Sequence, residues 1–319
     1  MTRKRSFGFI SAVLVTAAVT AAVCSGEAFA PRSTQAAPPG AISRSLNALG
    51  TAKPWLTPVP GGPLALRGKV VVVNFWTYSC INSLRALPYL RAWSERYADK
   101  GLVVVGVHTP EFRFEHDPAK VRLAARKLGV RYPNLQDNGY AVWRQFANEG
   151  WPGFVFIDAK GRIRDYRVGE GDYADAEQLI RTLLNEAGRD PSDIPLSAIA
   201  GSGIEAEAEW ADLGSPETYV GYGRAENFRS PGGLRRDTAA SYTAASLPRN
   251  GWDLAGTWTV GREFATLGSA AGAIRFRFRA RDAHLVLGGA PDGRPVRFRV
   301  TIDGAEPGAN NGADVDADG

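Results

Sequence analysis

The chain has 319 residues, of which 44% are hydrophobic and 22% charged, a balance typical of a folded globular protein with a sizeable core. The formal net charge of +5 includes three cations at the N-terminus, Arg3, Lys4 and Arg5, so the remainder is only mildly basic. Because that remainder contains no run of lysine and arginine, we expect no nucleic-acid partner.

Residues 1–30 have the order of a secretory signal peptide. The three cations precede a short apolar stretch over residues 7–23, and the small-x-small site Ala28-Phe29-Ala30 follows it. The apolar stretch is too short for a transmembrane helix. We therefore predict a signal peptide over residues 1–30 and a periplasmic or otherwise extracytoplasmic location.

The chain contains two cysteines, and Cys24 lies within the predicted signal peptide. A lipid anchor on Cys24 would need a small residue before it, and that residue is Val23. We expect Cys24 to be removed with the signal, which leaves Cys80 as the only cysteine of the mature chain. Such a chain cannot form an internal disulfide, so Cys80 is either inert and buried or reactive toward an outside partner.

Residues 31–52 are rich in Ala, Pro, Ser and Gly and predict a flexible tether. Over residues 53–190, buried strand patterns alternate with helical periodicity. This alternation predicts an α/β domain with a mixed sheet flanked by helices. The predicted strands cover 70–76, 102–107, 154–157 and 162–168, and the predicted helices cover 80–97, 118–129 and 174–187.

A weaker pattern over residues 191–217 predicts a linker, and residues 218–319 differ in kind. They alternate apolar residues with arginine at 274–279 and 296–300, which predicts antiparallel strands of an all-β, sandwich-like domain. Residues 258–260 and 285–287 are further strand candidates. The arginine rows fit an anionic ligand, but a solvated sheet face explains the same alternation and is favoured.

The last residues carry two further signals. Asp318-Gly319 is a hairpin-turn signal with no strand after it, so we expect the β domain to be C-terminally truncated. The acids Asp314, Asp316 and Asp318 resemble the start of a calcium loop but lack its closing acid. No spacing of histidine and cysteine indicates a metal site either. We therefore expect no metal and no cofactor.

Cys80 follows a buried strand pattern and an aromatic-rich loop, and it stands at the predicted start of a helix. Unpaired N–H groups and the helix dipole stabilise a thiolate at such a position. They can lower a cysteine pKa from ~8.5 into the range ~3.5–7.5. The alternative is an inert buried cysteine, and the strand–cysteine–helix context favours the reactive one. His108, at the end of a predicted strand, is a weaker candidate for which a structural role is favoured.

The motifs around Cys80 resemble a known family. They are Phe75-Trp76 before the cysteine, Pro88 in the following helix, Trp151-Pro152, and residues 106–112, 169–173 and 215–219. The chain is similar to thioredoxin-like proteins of the TlpA/redoxin type, and in particular to the exported C-terminal part of DipZ-type proteins. Those proteins are associated with cytochrome c biogenesis, and their β domain resembles a carbohydrate-binding module.

The resemblance implies roles for individual residues. Cys80 is the nucleophile, Pro152 is the cis-proline that faces it and shapes the partner groove, and Trp76, Thr77 and Trp151 contact the substrate. The implied partners are protein thiols and disulfides of the cell envelope, with a glycan as a further ligand of the β domain. Membrane contact is implied only through a membrane-bound redox partner.

Two positions depart from the family pattern. Ser83 stands where the family carries its second cysteine, and Asn74 stands where thioredoxins carry a buried aspartate. Both departures affect release of a mixed disulfide by a resolving thiol. Ser83 retains a hydroxyl that can donate a hydrogen bond to the Cys80 thiolate. We therefore expect Cys80 to form a mixed disulfide whose release needs an external thiol.

The sequence supports three hypotheses. The first is an extracytoplasmic thiol–disulfide oxidoreductase homologue that acts through Cys80 alone. The second is a one-cysteine thiol peroxidase with an antioxidant role. Thr77 stands three residues before Cys80, as peroxiredoxins require, but Val73 replaces their proline. The third is a redox-inactive envelope scaffold that binds through its β domain.

Overall fold

The computed structural model describes residues 8–11, 20–23, 46, 49–50, 54–289, 296–312 and 314–319. The chain divides into two compact units, Phe29–Glu207 and a second unit that combines Met1–Ala28 with Ala208–Gly319. Two short strands, β1 (Gly8–Ser11) and β2 (Thr20–Val23), belong to the second unit. Within the described ranges, no helix is both long enough and apolar enough to cross a membrane.

The unit Phe29–Glu207 contains a six-stranded mixed sheet with the order β3-β6-β5-β4-β7-β8. Its strands are β3 (Trp55–Thr57), β4 (Val70–Trp76), β5 (Leu102–His108), β6 (Asn134–Gln136), β7 (Gly153–Ile157) and β8 (Ile163–Val168). β4 pairs in parallel with β5 and antiparallel with β7. All seven residues of β4 are buried, as expected for a central strand covered on both faces.

Four helices accompany this sheet. They are α1 (Ile81–Arg96), α2 (Pro118–Lys127), α3 (Ala141–Gln145) and α4 (Tyr173–Glu186). The predicted mixed α/β fold is confirmed, and the three predicted helices correspond to α1, α2 and α4. The start of α2 shows why: Pro118 needs no hydrogen bond at its nitrogen, and the Asp117 carboxylate accepts the N–H of Ala119 across 2.8 Å.

Apolar residues cover both faces of the sheet. Trp76 and Phe156 point into one cluster together with Leu87 of α1, whereas Phe75 and Val155 point into the other. This follows from the alternation of side chains along a strand. Because β4 ends between the two clusters, the loop that leads from Trp76 to α1 starts from a rigid point of the core.

The second unit is a separate, mainly antiparallel sheet. It contains β9 (Ala239–Tyr242), β10 (Trp252–Val260), β11 (Ala265–Phe278) and β12 (Leu285–Gly288). β9, β10 and β11 are neighbours, and β1 and β2 pair with β11 while β2 also pairs with β12. The predicted strands at 258–260, 274–279 and 285–287 are confirmed.

Two expectations for this unit are wrong. Residues 296–300 form no strand; their polar and aromatic side chains at positions 297–299 are exposed, and the N–H of Val300 binds the carbonyl of Gly319. Alternation predicts a strand only where a partner strand supplies hydrogen bonds. The arginines of β11 are not a solvated face either. Arg275 donates to the fully buried Asp253 across 2.9 Å, and Arg277 donates to the carbonyl of Leu247 across 3.0 Å.

Several N-terminal predictions lie largely outside the described residues. The small-x-small site Ala28-Phe29-Ala30 is not described, nor is most of the predicted tether over residues 31–52. β1 and β2 fall within the predicted signal peptide. The signal peptide and its cleavage therefore stay predictions.

Candidate active site

Cys80 is the N-cap residue of α1. Its carbonyl accepts the N–H of Leu84 across 3.0 Å, and its own N–H donates to the carbonyl of Thr77 across 3.4 Å. The residue is buried, with 5% of its surface exposed, and the first turn of α1 carries no acidic residue. The thiol thus lies at the positive end of a 16-residue helix. This position favours the thiolate.

Ser83 lies one turn into α1 and is buried. Its hydroxyl oxygen accepts the N–H of Thr77 across 3.4 Å, which ties the first helical turn to the preceding loop. The hydroxyl hydrogen is not used in this bond, so it can be donated to another acceptor.

Asn74 lies in β4 and is fully buried. Its Nδ2 donates to the carbonyl of Gly153 across 3.2 Å. Its Oδ1 has no hydrogen-bond partner within the described ranges. An amide cannot take up a proton as a carboxylate does, so this position holds the two strands together without titrating.

Pro152 and Trp151 form the loop that precedes β7. The peptide bond between them is cis, as the sequence comparison with the family implied. The carbonyl of Pro152 accepts the N–H of Gly169 across 2.8 Å. Trp151 is half-buried, donates from Nε1 to the carbonyl of Thr109 across 2.9 Å, and packs against Trp143 with a centroid distance of 4.5 Å.

Trp76 and Thr77 lie beneath the surface, and neither has exposed area. Trp76 donates from Nε1 to Oδ1 of Asn134 across 3.1 Å. The Thr77 hydroxyl lies 3.3 Å from Nε2 of His108. Both residues therefore support the loop before Cys80, and a direct contact of either with a partner stays a prediction.

His108 ends β5 and is fully buried. Burial lowers its pKa to about 3, so the imidazole is neutral at physiological pH. The ring stacks against Tyr78 with a centroid distance of 5.6 Å, and the Tyr78 hydroxyl donates to the carbonyl of Phe114 across 3.4 Å. Burial also raises the pKa of Tyr78, which keeps this phenol protonated.

Glu115 is a buried acid that the sequence analysis missed. It lies in the 3₁₀ turn Arg113–His116, and its Oε1 accepts the Ser79 hydroxyl across 2.5 Å. Its Oε2 accepts the N–H groups of Glu111 and Phe112 across 2.6 and 2.9 Å. Burial raises the pKa of Glu115, and these donors oppose the rise. A glutamate three residues after the turn's N-cap, the spacing of a capping box, was the available signal.

A buried ion pair joins α1 to the segment before α4. Arg85 donates to Oε1 of Glu170 across 3.1 Å, and both side chains are less than one-tenth exposed. Gly169, the neighbour of Glu170, binds the carbonyl of Pro152. The pair therefore links the helix of Cys80 to the loop of the cis peptide bond. Among the residues that the structure covers, no group of three His, Cys, Asp or Glu could hold a metal ion.

Sequence comparison gives the same assignment as the geometry. Residues 63–180 match the family model for redoxin. The chain is a member of the thioredoxin-like redoxin family. Residues 215–319 match a second family model, described as a thioredoxin-like C-terminal domain. The redoxin domain thus contains Cys80, Ser83 and Pro152.

Three similar proteins illustrate this membership. Protein DipZ of Mycobacterium tuberculosis is 37% identical over 256 residues, which cover 77% of this chain and 36% of DipZ. The thiol-disulfide oxidoreductase YkuV of Bacillus subtilis is 27% identical over 134 residues, 42% of this chain and 90% of YkuV. A solved thiol-disulfide isomerase of Corynebacterium glutamicum is 24% identical, covers 42% of this chain and 92% of its own, and has a TM-score of 0.39.

The chain spans about a third of the length of DipZ, 36% of that protein. What it shares with DipZ is homology over most of its own residues. The redoxin domain has the thioredoxin-like fold of thiol-disulfide oxidoreductases, with a thiol at the N-terminus of α1 and a cis-proline before β7. These elements can perform thiol–disulfide exchange.

Proposed function

We propose that the chain is an extracytoplasmic thiol–disulfide oxidoreductase homologue that acts through a single nucleophilic cysteine, Cys80. The observation that carries the proposal is the place of Cys80 at the N-cap of α1, in a first turn without acidic residues. The Cys80 thiolate attacks one sulfur of a partner disulfide. A bond from Cys80 to that sulfur forms, the partner's S–S bond breaks, and the other sulfur leaves as a thiolate that takes a proton from solvent.

Release of the mixed disulfide needs a second thiol. Ser83 occupies the position of a resolving cysteine, and a hydroxyl does not attack a disulfide at neutral pH. Asn74 lies where a buried carboxylate would accept the resolving thiol's proton, and it cannot do so. An external thiolate therefore attacks the partner sulfur and displaces Cys80 as a thiolate. The Ser83 hydroxyl hydrogen is available to stabilise that thiolate.

The partner groove is formed by the loop of Trp151 and Pro152. Trp151 retains exposed surface, whereas Trp76 and Thr77 have none, so we assign the partner contact to Trp151 and keep the other two as supports. Pro152 presents the cis peptide bond at the entrance to β7. The carbonyl and N–H groups of this loop are the hydrogen-bonding groups that an extended partner segment would meet.

The partners we propose are protein thiols and disulfides of the cell envelope. The predicted signal peptide over residues 1–30 and the similarity to DipZ support an extracytoplasmic location. The redoxin domain over residues 53–190 would carry the chemistry. The domain over 218–319, after a linker at 191–217, would add a binding function for which a glycan is the proposed ligand.

Trapping tests the proposal directly. The mature protein, purified without reductant, is incubated with an envelope extract, and disulfide-linked partners are identified by mass spectrometry before and after reduction. We expect partners with the unaltered chain and none with Cys80→Ser. Ser83→Ala is the matched control and should still capture them. Turnover of hydrogen peroxide with an external thiol, and no captured partner, would support the peroxidase hypothesis instead.

A further inference from the structure

A fully buried carboxylate lies beside the loop that carries Cys80. Glu115, in the 3₁₀ turn that follows β5, has no exposed surface. Its Oε1 accepts a hydrogen bond from the Ser79 hydroxyl across 2.5 Å. Ser79 is the residue directly before Cys80. One hydroxyl group therefore separates this carboxylate from the backbone of the proposed nucleophile.

The whole loop is held by the same segment. Thr77, Tyr78 and Ser79 are consecutive, and each contacts a residue between positions 108 and 115. The Thr77 hydroxyl lies 3.3 Å from the His108 ring, the Tyr78 hydroxyl donates to a carbonyl across 3.4 Å, and Ser79 donates to Glu115. The direction in which Cys80 enters α1 is thus set by the segment after β5, with Glu115 as its one ionisable contact in this set of three that titrates as an acid.

We infer that Glu115 is a positioning residue for Cys80, which fixes the Ser79 hydroxyl and decides by its own protonation where that hydroxyl donates. This inference rests on the function proposed above. Oε2 is fixed as an acceptor by the N–H groups of Glu111 and Phe112. One proton then lies between Oε1 and the Ser79 oxygen. It belongs to Ser79 when Glu115 is ionised and to Glu115 when the carboxyl is protonated, which turns the Ser79 hydrogen toward another acceptor.

The groups around Glu115 leave it as a titrating partner of the thiol. His108 stays neutral because burial lowers its pKa to about 3, and Tyr78 stays protonated because burial raises its pKa. The other titratable or charged groups on the same turn and its flanks are Glu111, Arg113, His116 and Asp117. Burial raises the pKa of Glu115 toward the range in which thiols titrate. Ionised Glu115 adds negative charge near Cys80 and opposes the helix dipole.

The alkylation rate of Cys80 as a function of pH tests this role. The variants are Glu115→Gln, Ser79→Ala, the double variant, and Glu111→Gln, which removes a carboxylate of the same segment. The amide of Glu115→Gln can still accept both N–H groups and can donate to Ser79, so the loop keeps its contacts without the charge. We expect its alkylation midpoint to fall by about one pH unit, a tenfold rise in the thiolate-to-thiol ratio. Glu111→Gln should leave the midpoint unchanged.

The double variant separates positioning from a general charge effect. If Glu115 acts through the Ser79 hydroxyl, Glu115→Gln should change nothing further in a Ser79→Ala background. Additive shifts, or an unchanged midpoint in Glu115→Gln with an unchanged unfolding temperature, would overturn the inference. If Glu115→Gln does not fold, an unchanged midpoint in Ser79→Ala overturns it. A thiol that resists alkylation in the folded, unaltered chain would instead overturn the proposed function.

Discussion

Asn74 donates a hydrogen bond from Nδ2 to the backbone carbonyl of Gly153 across 3.2 Å. Gly153 directly follows Pro152, and Asn74 lies in the strand that leads to Cys80. The bond therefore joins the strand of the thiol to the loop of the cis peptide bond. A carboxylate at position 74 would present only acceptors to this carbonyl, which explains why the amide suits the observed packing.

Asn74→Asp should destabilise the protein at neutral pH. The change removes a buried hydrogen bond and buries a charge, which costs about 1–3 kcal/mol or more. Burial raises the pKa of the new acid above its unfolded value, so the loss should shrink as the pH falls through that raised pKa. Urea unfolding at pH 7 and pH 4 measures it. Asn185→Asp, on the exposed side of α4, is the control, and equal stability of the two variants at pH 7 would contradict the argument.

Cys80 should be more acidic than an ordinary cysteine. Its position at the N-cap of α1 predicts an alkylation midpoint below ~8.5. Asn82→Asp, which adds a negative charge to the first turn of α1, should raise that midpoint because it opposes the helix dipole. A midpoint at or above ~8.5 in the unaltered chain would mean that the helix does not activate the thiol.

His108 should make the protein less stable in mild acid. Burial holds its folded pKa at about 3, below the ordinary value of 6.5, so the unfolded chain binds a proton that the folded chain does not. Stability is therefore full above pH ~6.5 and falls by about 1.4 kcal/mol for each pH unit below it. His108→Gln should remove this slope in urea unfolding between pH 7 and 5. His116→Gln, at an exposed position, should retain it; equal slopes in the two variants would contradict the role of burial.

The Arg85–Glu170 pair should stabilise the redoxin domain only as a pair. Arg85→Met leaves Glu170 buried without its cation, which typically costs about 3–5 kcal/mol. Burial already raises the pKa of Glu170, so protonation at low pH should relieve part of this loss. The combined change Arg85→Met with Glu170→Leu should recover most of the stability. Denaturant unfolding checks the order, and a double variant as unstable as Arg85→Met would contradict it.

The sequence predicted the elements whose residues are buried along their whole length. The apolar run of β4 and the helical spacing after Cys80 were sufficient, since both patterns repeat over seven or more residues. The short elements β3, β6 and α3 were missed, because three to five residues cannot establish a period. Residues 296–300 failed in the opposite sense, since a strand pattern there has no partner strand.

The candidate site was predictable only in part for a similar reason. Cys80, Ser83 and Pro152 stand next to recognisable elements, so local pattern and family resemblance were enough to find them. Glu115 contacts Ser79 across 36 residues of sequence, and only the fold brings them together. The burial of Trp76 and Thr77 likewise depends on β5 and β6, which pack beside them and leave neither a surface for a partner.

The most direct measurement is the release of a mixed disulfide by the unaltered chain and by Ser83→Cys. Each protein is reacted with a model peptide disulfide, and release of the peptide is followed in a single turnover without an external thiol. The unaltered chain should retain the peptide, and Ser83→Cys should release it orders of magnitude faster, since an adjacent thiol has a very high effective concentration. Release by the unaltered chain, or a Ser83→Cys variant that forms its internal disulfide yet does not release the peptide, would contradict single-cysteine exchange.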